Sequence, residues 1–435
     1  MKVAQLFGIA LFALGLGLMG CDSGGDVATV RLEGRVTDAQ GYGETGGPGK
    51  QGVAAVQAAI EGAVVTAARL QGNGTLQPLE GQVQSDATGA FALNVAARSG
   101  DLLMLRAEKG SFRSAVLVYV HVGSGGTVRA MPMTAESKAE AEVYVTVRNQ
   151  DDNGQEDAGD ASPALVAAYI TSSVAAELQA GGLTTAQLAT TLQQIARAEA
   201  AFVSRAGASA QALAQARQRQ LSAWAALQAA LHTATSAQAE SNAIASFEAA
   251  FLEAYTEAGL SAEARAKLLQ TARLAATRLV AGGSQTARIA LRKQAEILSA
   301  LATTAAVEAA FRAEGVAQSR MDSLVQARAD WFASLRAASS TTAMEQARAQ
   351  YIATVEAALA ATLGLSSQAM ANLKASLSAA KNALQTALSL ASSATAVAEA
   401  SLAFYSSAES TISNSLQGNA RAGLAATVLA LLHLG

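Results

Sequence analysis

From Pro163 to the end of the chain, apolar residues recur at helical spacing and no further proline occurs. Leu188, Leu192, Ile195, Ala198 and Phe202 form one such stripe. Met321, Leu324, Ala327, Trp331 and Leu335 form a second, and Leu373, Leu377, Ala380, Leu384 and Ala387 a third. Steps of three and four are the seam of packed antiparallel helices; helices of about 25 residues are each ~38 Å long. Upstream the pattern changes. Short runs of β-branched and alternating residues predict strands at Ala28–Thr37, Ala63–Leu70, Glu80–Ser85, Phe91–Val95, Leu102–Ala107, Ala115–Val122, Val128–Met133 and Ala141–Arg148. Residues 149–161 have neither period and read as an acidic linker. The expectation is a multidomain α and β protein: a β-sandwich over 28–148, then an all-α antiparallel helical bundle or hairpin array over 162–435.

Glycine and hydroxyl residues punctuate the helical part. Gly182-Leu183-Thr184, Gly259-Leu260-Ser261 and Gly364-Leu365-Ser366 follow one logic. A left-handed glycine ends one helix, the leucine covers its last turn, and Ser or Thr caps the next helix. Thr184 with Gln187, and Thr342 with Glu345, have capping-box spacing. Trp224 precedes Gly259 by 35 residues and Trp331 precedes Gly364 by 33. The two Trp–Gly pairs lie about 105 residues apart, which fits either duplicated multi-helix units or the shared composition of alanine-rich helices. The two tryptophans are expected to fill space between closely approaching alanine-rich backbones. Leu424–Leu434 is too short to span a bilayer and reads as a packed last helix.

Composition narrows the chemistry. Charged residues are 15% of the 435 and the net charge is −3, with no basic face, so nothing supports nucleic-acid binding. The single cysteine excludes an intramolecular disulfide and a thiolate zinc cluster. His121, His232 and His433 lie far apart in sequence. No phosphate loop, Gly-x-Ser-x-Gly elbow or His-Glu-x-x-His is found, and Glu248, Glu253 and Glu257 read as a solvated helix face. His232 sits near a helix end, where the dipole favours a cation.

The N-terminus carries the most specific signal. Lys2 is followed by an uncharged apolar run from Val3 to Met19, ending in Leu18-Met19-Gly20-Cys21. This run has the length of a secretory signal, so residues 1–20 read as a signal peptide. The four-residue ending resembles the lipobox of bacterial lipoproteins. The resemblance implies acylation of Cys21 with palmitate-type chains and cleavage before it. It also implies a tether over 21–27 and anchorage in a membrane of the cell envelope.

Within 28–148, Gly34-Arg35-Val36-Thr37-Asp38-Ala39-Gln40-Gly41, Gly62-Ala63-Val64-Val65 and Ser85-Asp86-Ala87-Thr88-Gly89-Ala90-Phe91 resemble the carboxypeptidase regulatory-like, or transthyretin-like, domain. Leu103 to Gly110 resembles the next strand and turn of that family. The segment Tyr42 to Glu61 is an insertion relative to the family pattern. The resemblance implies a non-catalytic spacer or binding module.

Residues 149–160 also have calcium-loop spacing, with oxygen ligands at Asn149, Asp151, Asn153, Asp157 and Asp160 around Gly154. Asn149 stands where aspartate is usual, Asp160 where a bidentate glutamate is usual, and no second loop accompanies it. The leading expectation is a lipid-anchored cell-envelope protein that is not an enzyme and needs no cofactor. Its partners are the membrane, through Cys21, and an envelope protein or glycan. Two alternatives stay open: a surface or adhesion protein stiffened by calcium, and an enzyme whose site lies between helices.

Overall fold

A computed structural model describes residues 27–42, 58–121, 126–150, 159–207, 209–280 and 282–434. Residues 1–26, with the expected signal peptide and Cys21, and the middle of the acidic segment, including Asp151, Asn153 and Asp157, lie outside the described residues. So does most of the insertion after Tyr42.

Among the described residues, seven strands form two small sheets: β1 (Ala28–Arg35), β2 (Val64–Leu70), β3 (Leu76–Gln84), β4 (Ala90–Ala97), β5 (Leu102–Lys109), β6 (Phe112–Tyr119) and β7 (Thr127–Arg129). One sheet has the order β4-β1-β7 and the other β3-β2-β5-β6. β1 runs antiparallel to β4, with Leu32 opposite Leu93, and parallel to β7, with Leu32 opposite Val128. Alternation sets the inward face: Phe91, Leu93, Val95 and Ala97 are buried along β4 while Asn94 and Ala96 are exposed. The chain leaves the first-formed hairpin for the other sheet at Asp86–Gly89. There the Asp86 carboxylate accepts from Thr88 N (2.8 Å), Thr88 Oγ1 (2.7 Å) and Ala90 N (3.0 Å). Gly89 has φ +74°, and a Cβ there would strike the Val36 carbonyl.

One expected strand is a helix. Ala141–Arg148 belongs to α1 (Ala135–Asn149). Val143, Val145 and Val147 alternate as a strand would, but Ala139, Glu140, Val143, Tyr144 and Val147 lie on one buried helical face. Thr134 starts the helix, accepting from Ser137 N (3.1 Å) while its own N–H donates to Ser137 Oγ (2.8 Å). α1 packs on β6 and on the helices that follow. This explains why β6 is buried without a break from Ser114 to Val118.

The remaining helices are α2 (Pro163–Tyr169), α3 (Ser172–Gln179), α4 (Thr185–Arg205), α5 (Ala210–Thr233), α6 (Ala237–Glu257), α7 (Ala262–Arg278) and α8 (Gln285–Ala313). They continue as α9 (Gln318–Ala337), α10 (Thr341–Leu363), α11 (Ser367–Ser376), α12 (Ser378–Leu390), α13 (Ala394–Ser415) and α14 (Ala422–His433). Left-handed glycines stand at the joints near 207, 259, 315, 364 and 418, separated by 52, 56, 49 and 54 residues, and also at 181, 282 and 283. Between them, Ser236, Ser284, Ser340 and Ser393 cap the returning helices. The unit is therefore a helical hairpin, and the spacing of about 105 residues spans two of them. Three serine joints share the pattern Leu-x-x-Ala-x-Ser-x-x-Ala (Leu231, Ala234, Ser236, Ala239 and their counterparts from Leu335 and Leu388). In each, the alanine N–H returns to the leucine carbonyl, at 3.4, 3.1 and 3.2 Å.

Gly259 and Gly364 take the left-handed positions expected of them. At the first joint that role falls to Gly181, and the Gly182 N–H closes onto the Glu177 carbonyl at 2.9 Å. Thr184 and Gln187 form the expected capping box, but Thr342 and Glu345 do not. Ser340 caps α10 two residues earlier and places Thr342 inside the helix. Both tryptophans are buried, and Trp331 stacks on Tyr351 with ring centroids 4.6 Å apart. One continuous set of buried residues runs from Val30 to Leu434. Across it, Gln228 Nε2 of α5 donates to the Leu117 carbonyl of β6 (2.9 Å), and His232 Nδ1 lies 3.1 Å from the Ala130 carbonyl. His232 thus has a partner in the strand region as well as its place at a helix end.

Candidate functional site

Polar side chains converge where α14 enters the helical stack. This helix is almost wholly apolar and buried, and its C-cap residue is Leu434. Its last carbonyls therefore need donors from elsewhere, and a cation is favoured there. Arg273 Nη2 of α7 donates to the Leu434 carbonyl (2.8 Å); Arg348 Nη2 of α10 donates to those of Leu434 (3.0 Å) and Leu432 (3.2 Å). Gln270 Nε2 donates to the Leu431 carbonyl (2.8 Å) and Thr303 Oγ1 (2.7 Å), and accepts at Oε1 from the Tyr405 hydroxyl (2.7 Å).

A cavity of about 210 Å³ is lined by Arg273, Leu274, Thr277, Arg292, Glu296, Met344, Glu345 and Arg348. Arg273 Nη1 lies 3.3 Å from Glu296 Oε2, and Arg292 Nη2 lies 3.0 Å from Glu345 Oε1. Burial alone would raise the Glu296 carboxyl, but Arg273, Arg348 and Arg292 hold it below the usual carboxylate range. Burial, and then the neighbouring Arg273 cation, push Arg348 down to about 10.

Beside this cavity, His433 at the end of α14 is held on both ring nitrogens. Nδ1 is 2.9 Å from Lys381 Nζ and Nε2 is 2.9 Å from Glu356 Oε1. A lysine ammonium only donates, so Nδ1 is the acceptor and the proton sits on Nε2, facing Glu356. Lys374 Nζ holds the other oxygen of Glu356 at 2.8 Å. Burial, helped by Lys381, lowers the His433 pKa, so the neutral ring is favoured.

Two further polar clusters are buried. In the first, Glu199 of α4 accepts from Arg217 Nη2 (2.6 Å) and the Tyr255 hydroxyl (2.9 Å), joining α4, α5 and α6. In the second, Tyr42, Glu136, Glu140, Glu248 and Gln294 line a cavity of about 30 Å³ where α1 meets α2, α5, α6 and α8. Glu140 Oε2 and the Tyr42 hydroxyl are both buried there. Burial raises the Glu140 carboxyl to about 8. Glu248 is thus a cavity wall and not part of a solvated face, whereas Glu253 and Glu257 are exposed and pair with Arg265 and Arg219.

Of the calcium-spaced residues, Asn149 ends α1 and Asp160 is buried, accepting from Gln193 Nε2 at 2.5 Å. Among the described residues no group of three or more His, Cys, Asp or Glu side chains is arranged to hold a metal ion. Nor, among them, is any helix long and apolar enough to cross a membrane. Two arginines of these clusters had a sequence signal. Met344, Arg348, Tyr351 and Val355 step by four, three and four, as do Leu213, Arg217, Gln220 and Trp224. An arginine on an apolar seam needs a buried partner. No protein-family model, curated protein or solved structure matches the chain.

Proposed function

We propose that the protein is a bacterial lipoprotein of the cell envelope, anchored through acyl chains on Cys21, with a structural or binding role and no catalysis. The observation that carries this reading is Leu18-Met19-Gly20-Cys21 directly behind the apolar run Val3–Met19. β1 begins at Ala28, seven residues beyond Cys21, so the strand region sits next to the anchor and the helical mass lies farther along the chain. The two sheets are taken as the layers of a transthyretin-like sandwich. Their division into three and four strands supports this, as does the Asp86–Gly89 turn that returns Phe91 to the interior. A non-catalytic role is supported by how the polar groups around α14 are used. Both nitrogens of His433 are engaged, and Arg273, Arg348 and Gln270 hold backbone carbonyls.

Labelling of expressing bacteria with radioactive palmitate tests the anchor. The wild-type chain is expected to take up label and sediment with membranes. Cys21→Ser is expected to lose the label and leave the membrane fraction. A wild-type chain without label, or a labelled Cys21→Ser chain, refutes the proposal.

A further inference from the structure

His433 joins two helices that are held very unequally. Its Nε2 donates to Glu356 of α10 and its Nδ1 accepts from Lys381 of α12, each at 2.9 Å. α10 is anchored by buried residues that include Met344, Tyr351, Val355 and Leu359. Only Ala380 and Leu384 of the 13 residues of α12 are buried. α12 meets α11 at Leu377, which ends one helix and begins the other, so the chain already has a break there. At the far end of α12 the Ser389 carbonyl accepts from Arg278 of α7.

The Lys381–His433 contact has room for one proton. Two nitrogens 2.9 Å apart bond only when one donates and the other accepts. The amine is the more basic of the two, so the proton stays on Lys381 and the ring accepts. A second proton, on Nδ1, sets two donors and two positive charges face to face. We infer that this contact is an acid-sensitive latch: protonation of His433 at Nδ1 releases α12 from the end of α14, with Leu377 as the hinge. The imidazolium keeps its bond to Glu356, and Arg273 and Arg348 keep the Leu432 and Leu434 carbonyls, so α14 stays in place while α12 moves.

The charged groups around the ring set the direction of the effect. Glu356 and Arg348 of α10 and Lys381 of α12 act on it directly, and Lys374 of α11 shares Glu356. Glu296 of α8 is paired with Arg273 of α7, and Glu409 of α13 with Lys267. Burial is the largest influence and holds the ring below its ordinary pKa; Glu356 opposes it, and Lys381 adds to it. Burial would raise Glu356, but His433 and Lys374 hold it below the usual carboxylate range, so it stays ionised while His433 titrates. With α12 released the ring titrates near its ordinary value, so the released form binds the proton more readily. The latch is closed above that value and loosens as pH falls below it. It does not depend on the lipid anchor.

Hydrogen–deuterium exchange of the full chain in non-ionic detergent, read by mass spectrometry at about pH 7.5 and about pH 5.5, tests the latch. Rates are referred to the intrinsic exchange rate at each pH. Protection of residues 378–390 is expected to fall severalfold on acidification, while that of residues 344–359 on α10 holds. His433→Gln keeps a donor and an acceptor but cannot take up the proton, and the fall is expected to disappear. In Lys381→Met, α12 is expected to be equally protected at both pH values, and the His433 ring resonance to titrate at higher pH than in wild type. No fall in the wild-type chain, or an equal fall in His433→Gln, overturns the inference. If His433→Gln does not fold, Lys381→Met decides: a fall as large as that of wild type overturns the latch.

Discussion

Glu140→Gln isolates one buried carboxyl whose environment fixes both the size and the sign of a pH effect. Glu140 is 3% exposed, and Glu136, Glu248 and Tyr42 share its cavity. Burial raises its pKa from 4.5 to about 8. In the unfolded chain the carboxyl ionises near its ordinary value, so between these limits the native state holds the extra proton. Stability is therefore greatest below the unfolded pKa and falls as pH rises toward the folded one. At 1.36 kcal/mol per pKa unit, the loss is roughly 3 kcal/mol by pH 7 and approaches roughly 5 kcal/mol above the native pKa. Glutamine keeps the shape and cannot ionise, so the variant is expected to lose this part of the pH dependence and to be more stable than wild type near neutrality. Urea unfolding followed by far-ultraviolet circular dichroism, from about pH 5 to about pH 8, measures both slopes. Equal slopes for wild type and Glu140→Gln refute the assignment of the effect to this carboxyl.

Two further substitutions probe how the helical stack is held. Glu199→Leu strands the buried Arg217 guanidinium and is expected to cost about 3–5 kcal/mol in urea unfolding, while adding Arg217→Met recovers most of that loss; a double variant no more stable than the single one refutes a paired-charge origin. Trp331→Ala removes the ring stacked on Tyr351 and opens a cavity between α9 and α10, at an expected cost of about 3–5 kcal/mol; an unchanged thermal midpoint contradicts the core role of this tryptophan.

The helical joints were legible because they are local. A left-handed glycine, the leucine after it and the serine that caps the next helix interact within a few residues, as at Gly259-Leu260-Ser261. Seam residues such as Leu188, Leu192 and Ile195 are buried where their spacing put them. The same local logic failed where two periods overlapped. Val143, Val145 and Val147 satisfy strand alternation, while Tyr144 and Glu140 complete a helical face, and the Thr134 cap with packing on β6 decides for helix. Thr342 and Glu345 had the spacing of a capping box, but Ser340 starts the helix first.

Sequence by itself determined that this chain has a strand-rich region followed by capped, alanine-rich helices. Periodicity and caps act over three or four residues, so they can be read along the chain. Tertiary structure alone decided which sheet each strand joins and what the buried charges face. Arg273 meets a carbonyl 161 residues away, and His433 meets a carboxylate 77 residues away. Such pairings follow from how helices distant in sequence stack side by side, and no local period encodes them.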